Sequence, residues 1–303
     1  MNVVTGAFGY TGKYIARRLL AAGEAVSTLT GNPGRASEFG PKVPAFPFRF
    51  DRPEAMAESM AGARVLYNTY WVRFDRRDTT HQRAIANTLA LIRAAKLAGV
   101  ERIVHIGISN PDIHSALPYF RGKALLEDEL RRSGLGYAIL RPTVIFGAED
   151  ILINNIAWLL RRLPAFLLPG SGEYGIQPVA VEDVARIAVE AAGTRENLTI
   201  DAVGPETFRF AELVRLIAKA LGSRARVLTG PPWLALLAAR ALGLAMGDVM
   251  LTRDELDGLM ANLLVSSRPP TGQIRFSEWV SAHAAALGRR YASEIGRHYT
   301  AIS

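Results

Sequence analysis

Tyr119 and Lys123 lie four residues apart, a pairing whose types and spacing suit proton transfer. On a helix the two share a face. An ammonium beside a phenol favours the phenolate, so Tyr119 could exchange a proton with a substrate oxygen. The chain writes most of its positive charge as arginine, with lysine only at Lys13, Lys42, Lys96, Lys123 and Lys219. A lysine at this spacing is therefore less expected from composition, and it suits a compact point charge. Ser109 precedes Tyr119 by ten residues and could orient the same oxygen through its hydroxyl; beside Asn110 and Pro111 it equally suits a turn.

A second cluster stands at the amino terminus, where Gly6, Gly9 and Gly12 form a G-x-x-G-x-x-G pattern between an apolar run at 2–4 and a helical pattern at 13–22. Gly6 permits a tight turn, Gly9 lets the backbone approach a pyrophosphate, and Gly12 allows the helix to pack closely on the strand. The helix start then offers unpaired N–H groups and partial positive charge to phosphates. No Gly-Lys-Ser/Thr follows, which excludes a P-loop. After the second strand-like run, at 25–30, a chain that binds NAD carries an acid for the ribose 2′-hydroxyl. Here Thr30, Asn32 and Arg35 stand instead, which favours NADP(H) over NAD(H), although Arg35 also reads as a solvated loop residue. Asp51 either meets the adenine amino group or caps the helix expected over 53–60.

These residues need elements to hold them. Apolar runs at 2–4, 25–30, 65–70 and 103–106 alternate with helical patterns at 13–22, 53–60 and 80–97, and Gly23, Gly62, Gly99 and Gly134 stand where helices should end. This β-α repetition predicts an α/β fold: a Rossmann-type, doubly wound parallel sheet with right-handed crossovers. Past 142 the pattern changes to longer helices and loops, then a helix over 179–192 and a strand over 198–202 return to the sheet. The expected division is a dinucleotide-binding domain over 1–147 plus 179–204, and a smaller, mainly helical C-terminal lobe over 148–178 plus 205–303, the latter with helices at 211–221, 233–244, 253–264 and 276–288.

The 303 residues suffice for a domain and a lobe. There is no cysteine, and His81, His105, His114, His283 and His298 show no ligand-like spacing, so no disulfide or metal site is expected. The formal charge of +8 comes from scattered residues without a basic run, which argues against nucleic-acid binding and suits a basic surface that weakly attracts phosphate-bearing ligands; the partner expected is a small-molecule substrate. No signal sequence is evident, and a cytoplasmic location is expected. The apolar segment 232–246 is shorter than the ~20 residues of a membrane span and contains Arg240; a buried helix, or one that docks on a protein or a membrane surface, is expected there.

The blocks described so far, with 94–100 leading into 104–106, Leu140-Arg141-Pro142-Thr143-Val144-Ile145-Phe146-Gly147, and Pro178-Val179-Ala180-Val181-Glu182-Asp183-Val184-Ala185, resemble the extended and atypical short-chain dehydrogenase/reductases. That superfamily includes the NAD-dependent epimerase/dehydratases, the NmrA-like proteins and the accessory subunit of respiratory complex I. The likeness covers about residues 1–204. It implies that Gly6, Gly9, Tyr10, Thr11 and Gly12 hold the pyrophosphate, and that Asn68, Thr69 and Tyr70 line the cofactor. Lys123 would meet the nicotinamide ribose, and Pro142, Thr143 and Val144 would flank the nicotinamide. Substrate contacts would come from Trp71, Arg73, Asn154, Asn155, Trp158 and Gln177, although Trp71 and Trp158 also read as core aromatics. Two departures are visible: Gly107 and Ile108 stand where the family shows a serine pair, and Ser109 to Tyr119 is a short interval. Three functions follow. The first is an NADP(H)-dependent oxidoreductase acting on a carbonyl group. The alternatives are a nucleotide-sugar epimerase or dehydratase, and a non-catalytic NADP(H)-binding accessory or sensor protein.

Overall fold

A computed structural model describes residues 1–298 and divides them into two compact units. The first unit comprises Met1–Pro142 and Val181–Ala202. It contains β1 (Asn2–Thr5), α1 (Tyr10–Ala21), β2 (Val26–Thr30), β3 (Ala45–Pro47), α2 (Pro53–Glu58), β4 (Val65–Asn68), α3 (His81–Leu97), β5 (Arg102–Ile106), α4 (Pro118–Arg132) and β6 (Gly136–Pro142). The chain leaves through β7 (Val144–Phe146), α5 (Leu152–Arg162), β8 (Ala165–Pro169), β9 (Gly175–Ile176) and β10 (Pro178–Ala180), then returns to the first unit with α6 (Val181–Ala192) and β11 (Leu198–Ala202).

The strands of the first unit form one seven-stranded sheet in the order β11-β6-β5-β4-β1-β2-β3, every pair parallel. The order reverses beside β1, which is the switch point where ligands of open α/β sheets bind. Strands β1, β2, β4 and β5 are buried throughout, as the covered strands of a parallel sheet must be. Val3, Leu29, Leu66 and Ile103 on the sheet pack with Met56, Met60, Leu91 and Leu130.

The second unit comprises Thr143–Ala180 and the chain from Val203 onward. It adds β12 (Phe208–Arg209), α7 (Phe210–Ala220), β13 (Arg226–Gly230), α8 (Pro232–Met246), α9 (Arg253–Met260), α10 (Phe276–His283) and α11 (Glu294–His298). Its core gathers Phe146, Ile153, Leu160, Leu213, Ile217, Phe276 and Trp279.

Several boundaries differ from those read in the sequence. The first unit ends at Pro142 rather than 147, because Val144–Phe146 pairs with Pro178–Ala180 inside the second unit, and 179–180 is strand rather than helix. The second unit is not helical alone: β8 pairs with β13 and β9 with β12. The last five residues of the lobe expected over 205–303 lie outside the described residues. Helix α1 starts at Tyr10, three residues before the start read in the sequence, since its glycines and polar residues hide the apolar period there.

That early start explains the glycines. Gly6 has φ +63°, a region that disfavours side chains. A Cβ on Gly12 would lie 2.8 Å from the carbonyl carbon of Gly6, with its oxygen closer still, and 3.0 Å from Thr5 O. Gly12→Ala should therefore cost ~1–3 kcal/mol by forcing helix from strand. Gly31→Ala, into open space, should change stability by less than ~0.5 kcal/mol. Urea unfolding of the two variants checks this, and equal effects would contradict the close packing.

Candidate functional site

The phosphate-binding turn is built by the end of β1 and the start of α1. Gly6 N donates to Leu29 O at 2.8 Å and Gly9 N to Gly6 O at 2.8 Å, which folds the chain back before the helix. Gly9 is the N-cap, with no side-chain bond to cap the helix and no acid in the first turn. At a helix start of this kind the N–H groups of Thr11 and Gly12 have no carbonyl of their own helix to bind. Ala7 N is tied to Thr28 Oγ1 at 3.1 Å, and that hydroxyl donates to Val4 O at 2.7 Å. A turn shaped by Gly6, a close backbone approach at Gly9 and an uncapped helix start fit a dinucleotide pyrophosphate.

The neighbouring strand ends are bound into the same surface by Thr5. Its Oγ1 accepts from Thr69 N at 2.8 Å and Tyr70 N at 3.1 Å, while Thr69 Oγ1 donates to Thr5 O at 2.6 Å. Asn68 Oδ1 accepts from Tyr70 N at 3.0 Å, which orients the amide so that Nδ2 donates to His105 Nδ1 at 3.0 Å. His105 thus carries its proton on Nε2. Burial, with Lys123 adding to it, pushes the imidazole down to about 3, so it is neutral. Tyr70 packs edge-on to Phe48 and tilted against Phe50, and its hydroxyl accepts from Asn87 at 2.7 Å.

Past β2, Thr30 is buried and its Oγ1 accepts from Asn32 N at 3.2 Å. Arg35 is exposed and, among the described residues, makes no ion pair. Glu38 is a residue the sequence reading missed. It lies in the same loop and is clamped by Arg17, whose NH2 donates at 2.6 Å and whose charge holds the carboxyl below its ordinary range. Asp51 does not cap α2: the N-cap is Arg52, and the Asp51 side chain is 80% exposed.

Tyr119 and Lys123 stand on α4 as the spacing required. Lys123 is buried and donates from Nζ to Ile106 O at 2.8 Å, with the Trp71 ring centroid 4.5 Å away. Burial pushes its ammonium down to about 7, against the opposing pull of Glu127. Tyr119 is half-buried, with its ring edge-on to Trp71 at 5.6 Å and to His81 at 5.7 Å. Trp71 Nε1 is buried without a hydrogen-bond partner. Arg73 stands over Phe74, and its carbonyl meets His81 Nε2 at 3.4 Å. Ser109 is buried beyond β5, with its N–H on Pro142 O at 2.9 Å.

Glu127, also missed in the sequence, is the buried centre of this region. Arg141 Nε donates to its Oε1 at 3.0 Å, Arg141 NH2 to its Oε2 at 2.6 Å, and Arg131 NH2 to the same oxygen at 2.9 Å. The two-pronged pair holds α4 to β6. It also accounts for Gly107 in place of a serine: a Cβ there would lie 3.2 Å from Glu127 Oε1 and 3.1 Å from Leu140 O.

The candidates in the second unit are engaged within that unit. Asn155 uses both ends of its amide on Ala292, at 3.0 and 2.9 Å. Gln177 joins Gly204 O at 2.8 Å to Ser266 N at 3.1 Å. Asn154 donates to Asp150 O at 3.0 Å and accepts from Gly288 N, and Trp158 packs between Tyr291 and Arg162. These side chains hold loops of the second unit together. Thr143 Oγ1 donates to Gln177 O, and Val144 is a buried residue of β7.

Fold and turn together define a dinucleotide-binding α/β protein. Residues 6–194 match the model of the NAD(P)H-binding family, and the chain belongs to it. Among curated relatives it is 27% identical, over 230 residues, to NADH dehydrogenase [ubiquinone] 1 alpha subcomplex subunit 9 of Arabidopsis thaliana, which covers 71% of this chain and 56% of the relative. It is 26% identical over 240 residues to a photosystem II assembly factor of Cyanophora paradoxa, covering 76% and 71%. The chain thus spans little more than half of the Arabidopsis relative. The NADPH-dependent quinone oxidoreductase of Escherichia coli, solved with NADPH, has the same fold, with TM-score 0.76, 19% identity, and 95% and 99% of the two chains covered.

The buried Lys123 makes stability depend on pH. Its folded value, about 7, lies below the ordinary 10.5, so between those limits the unfolded chain binds a proton that the folded chain has released. The unfolding free energy contributed by this group rises with pH through that window and is lost as pH falls toward 7. Compared with Lys123→Met, the wild type should gain up to about 1.4 kcal/mol per pH unit between pH 7 and 9. Urea unfolding at several pH values reads the difference; one independent of pH would contradict the burial of an ionisable amine.

Proposed function

We propose that the protein is an NADP(H)-dependent reductase of a small molecule carrying a polarised C=O group. The observation that carries this reading is Lys123, a buried amine one helical turn from Tyr119 and packed beneath Trp71. Gly6, Gly9, Tyr10, Thr11 and Gly12 would hold the pyrophosphate, Asn68, Thr69 and Tyr70 would line the cofactor, and Lys123 would meet the nicotinamide ribose, with Pro142, Thr143 and Val144 toward the nicotinamide. Bound NADPH would supply the hydride that reaches the carbonyl carbon.

The chain's own part is the proton and its placement. Tyr119 would give its phenolic proton to the substrate oxygen as the C=O bond becomes C–OH, and the phenolate would recover a proton from water. Lys123, partly protonated at neutral pH, would stabilise the phenolate in its ammonium form, with no proton moving to or from it in the step. Ser109 would orient the oxygen. Trp71 and Arg73 in the first unit remain the substrate contacts of this proposal.

The preference for NADP(H) rests on the loop after β2, where Arg35 is exposed and, among the described residues, makes no ion pair, while the charge of Glu38 is consumed by Arg17. A second reading, a subunit that holds the cofactor without turnover, is favoured by the accessory and assembly proteins among the relatives.

Nicotinamide fluorescence should show tighter binding of NADPH than NADH. Arg35→Gln should weaken NADPH about 10- to 100-fold, the worth of one charge-assisted bond, and leave NADH unchanged; equal effects on both would end the NADP(H) assignment. With a panel of quinones and aldehydes, Tyr119→Phe should lower turnover ~10²–10⁴-fold at unchanged NADPH affinity. Unaltered turnover would remove Tyr119 from the reaction, and NADPH binding with no turnover by the wild type on any substrate would favour the subunit reading.

A further inference from the structure

Helix α8 is built inside out. Its buried residues are Ala235 and Gly243, while Trp233 is 64%, Leu237 56% and Leu244 79% exposed. The small residues are inward for a steric reason: a Cβ on Gly243 would lie 2.6 Å from Asp248 O, so this face is pressed against backbone. On a helical wheel, Trp233, Leu237, Ala241 and Leu244 form one outward stripe. Among the described residues, eleven large hydrophobic side chains are exposed, and six of them (Leu228, Trp233, Leu234, Leu237, Leu244 and Met246) lie on β13 and α8. An apolar patch gathered in this way has a use beyond folding.

The charge beside it says what covers it. Residues 221–247 contain Arg224, Arg226 and Arg240 and no acid. A groove of about 920 Å³ is lined by Arg161, Arg162, Arg224, Arg226 and Leu228, with no carboxylate on its wall. Leu228 belongs to both groove and patch, so the basic and apolar surfaces are continuous. Arg240 falls at one edge of the stripe, where a long side chain can bury its stem and keep its charge in the headgroup layer. No helix among the described residues is long and apolar enough to cross a membrane. At 15 residues α8 is about 22 Å long, which suits a helix lying in the interface plane, with Trp233 as its anchor.

We propose that α8 and β13 dock this protein on a membrane leaflet containing anionic lipids, the apolar stripe entering the acyl boundary and the exposed Arg224 and Arg226 of the groove meeting lipid phosphates. This assignment is independent of the reductase reading, since every residue it uses lies in the second unit.

Co-sedimentation of the full chain with phosphatidylcholine vesicles, with and without phosphatidylglycerol, tests it. Binding is expected only to the anionic vesicles, with a blue shift of emission that Trp233→Phe removes. Leu237→Glu with Leu244→Glu should abolish binding without altering the melting temperature, because both side chains are exposed. Arg224→Gln and Arg226→Gln should each weaken it roughly fivefold. Absence of binding to anionic vesicles, or binding untouched by the leucine replacements, would overturn the proposal. So would a wild-type dimer that binds no vesicle and that the leucine replacements dissociate, since a second copy would then be what covers the stripe.

Discussion

The first unit depends on a single close approach. Helix α1 rests on the end of β1 with no space for a side chain at Gly12, because the Gly6 carbonyl occupies the place where one would be. The approach compels the left-handed conformation at Gly6 and starts the helix at Tyr10. It also leaves the helix start without a side-chain cap or an acid, at the edge of the sheet where the strand order reverses. An anion there meets the helix end and the oriented amides together. No charged side chain is needed at the turn, and none is present between Gly6 and Gly12.

A second layer of polar contacts fixes what lies beside the turn. Thr5, Asn68 and His105 stand at the ends of adjacent strands and use one another's polar atoms, which ties β1, β4 and β5 at their carboxyl ends. Glu127 does the same for α4 and β6 through Arg141. Buried charge of this kind persists where the geometry satisfies it. Its consequence is positional: α4 is held so that Lys123 reaches Ile106 O beneath Trp71, in surroundings that depress its pKa toward neutrality. The missing serine at 107 is thereby a consequence of Glu127 rather than a random departure.

Much of this was legible in the sequence, for reasons that can be named. Covered strands are continuous apolar runs, helices end on glycine, and the three glycines carry their spacing openly, so the parallel sheet and its turn could be read directly. The pair Tyr119 and Lys123 was visible because helical spacing is local. Glu127 and Arg141 were not, since their meeting joins a helix to a strand and nothing in either segment announces it. The bonds of Asn155 and Gln177 were hidden for the same reason: their partners lie 137 residues away for Asn155 and 27 and 89 away for Gln177. Asp51 read either as an adenine contact or as a cap from its place before Pro53; Arg52 holds the cap position, which removes the second reading. The apolar character of 232–246 was plain, but its inverted facing followed only from the contact of Gly243 with Asp248.

The central claim is that the glycine turn of the first unit and the helix start behind it hold a dinucleotide. Hydrogen–deuterium exchange with and without NADPH addresses it residue by residue, because a bound ligand shields the amides it covers and stabilises the segments that hold it. The account predicts slowed exchange at 6–13 and at 68–71 on addition of NADPH, with 224–246 unchanged. Unaltered exchange at 6–13 under saturating NADPH would contradict it.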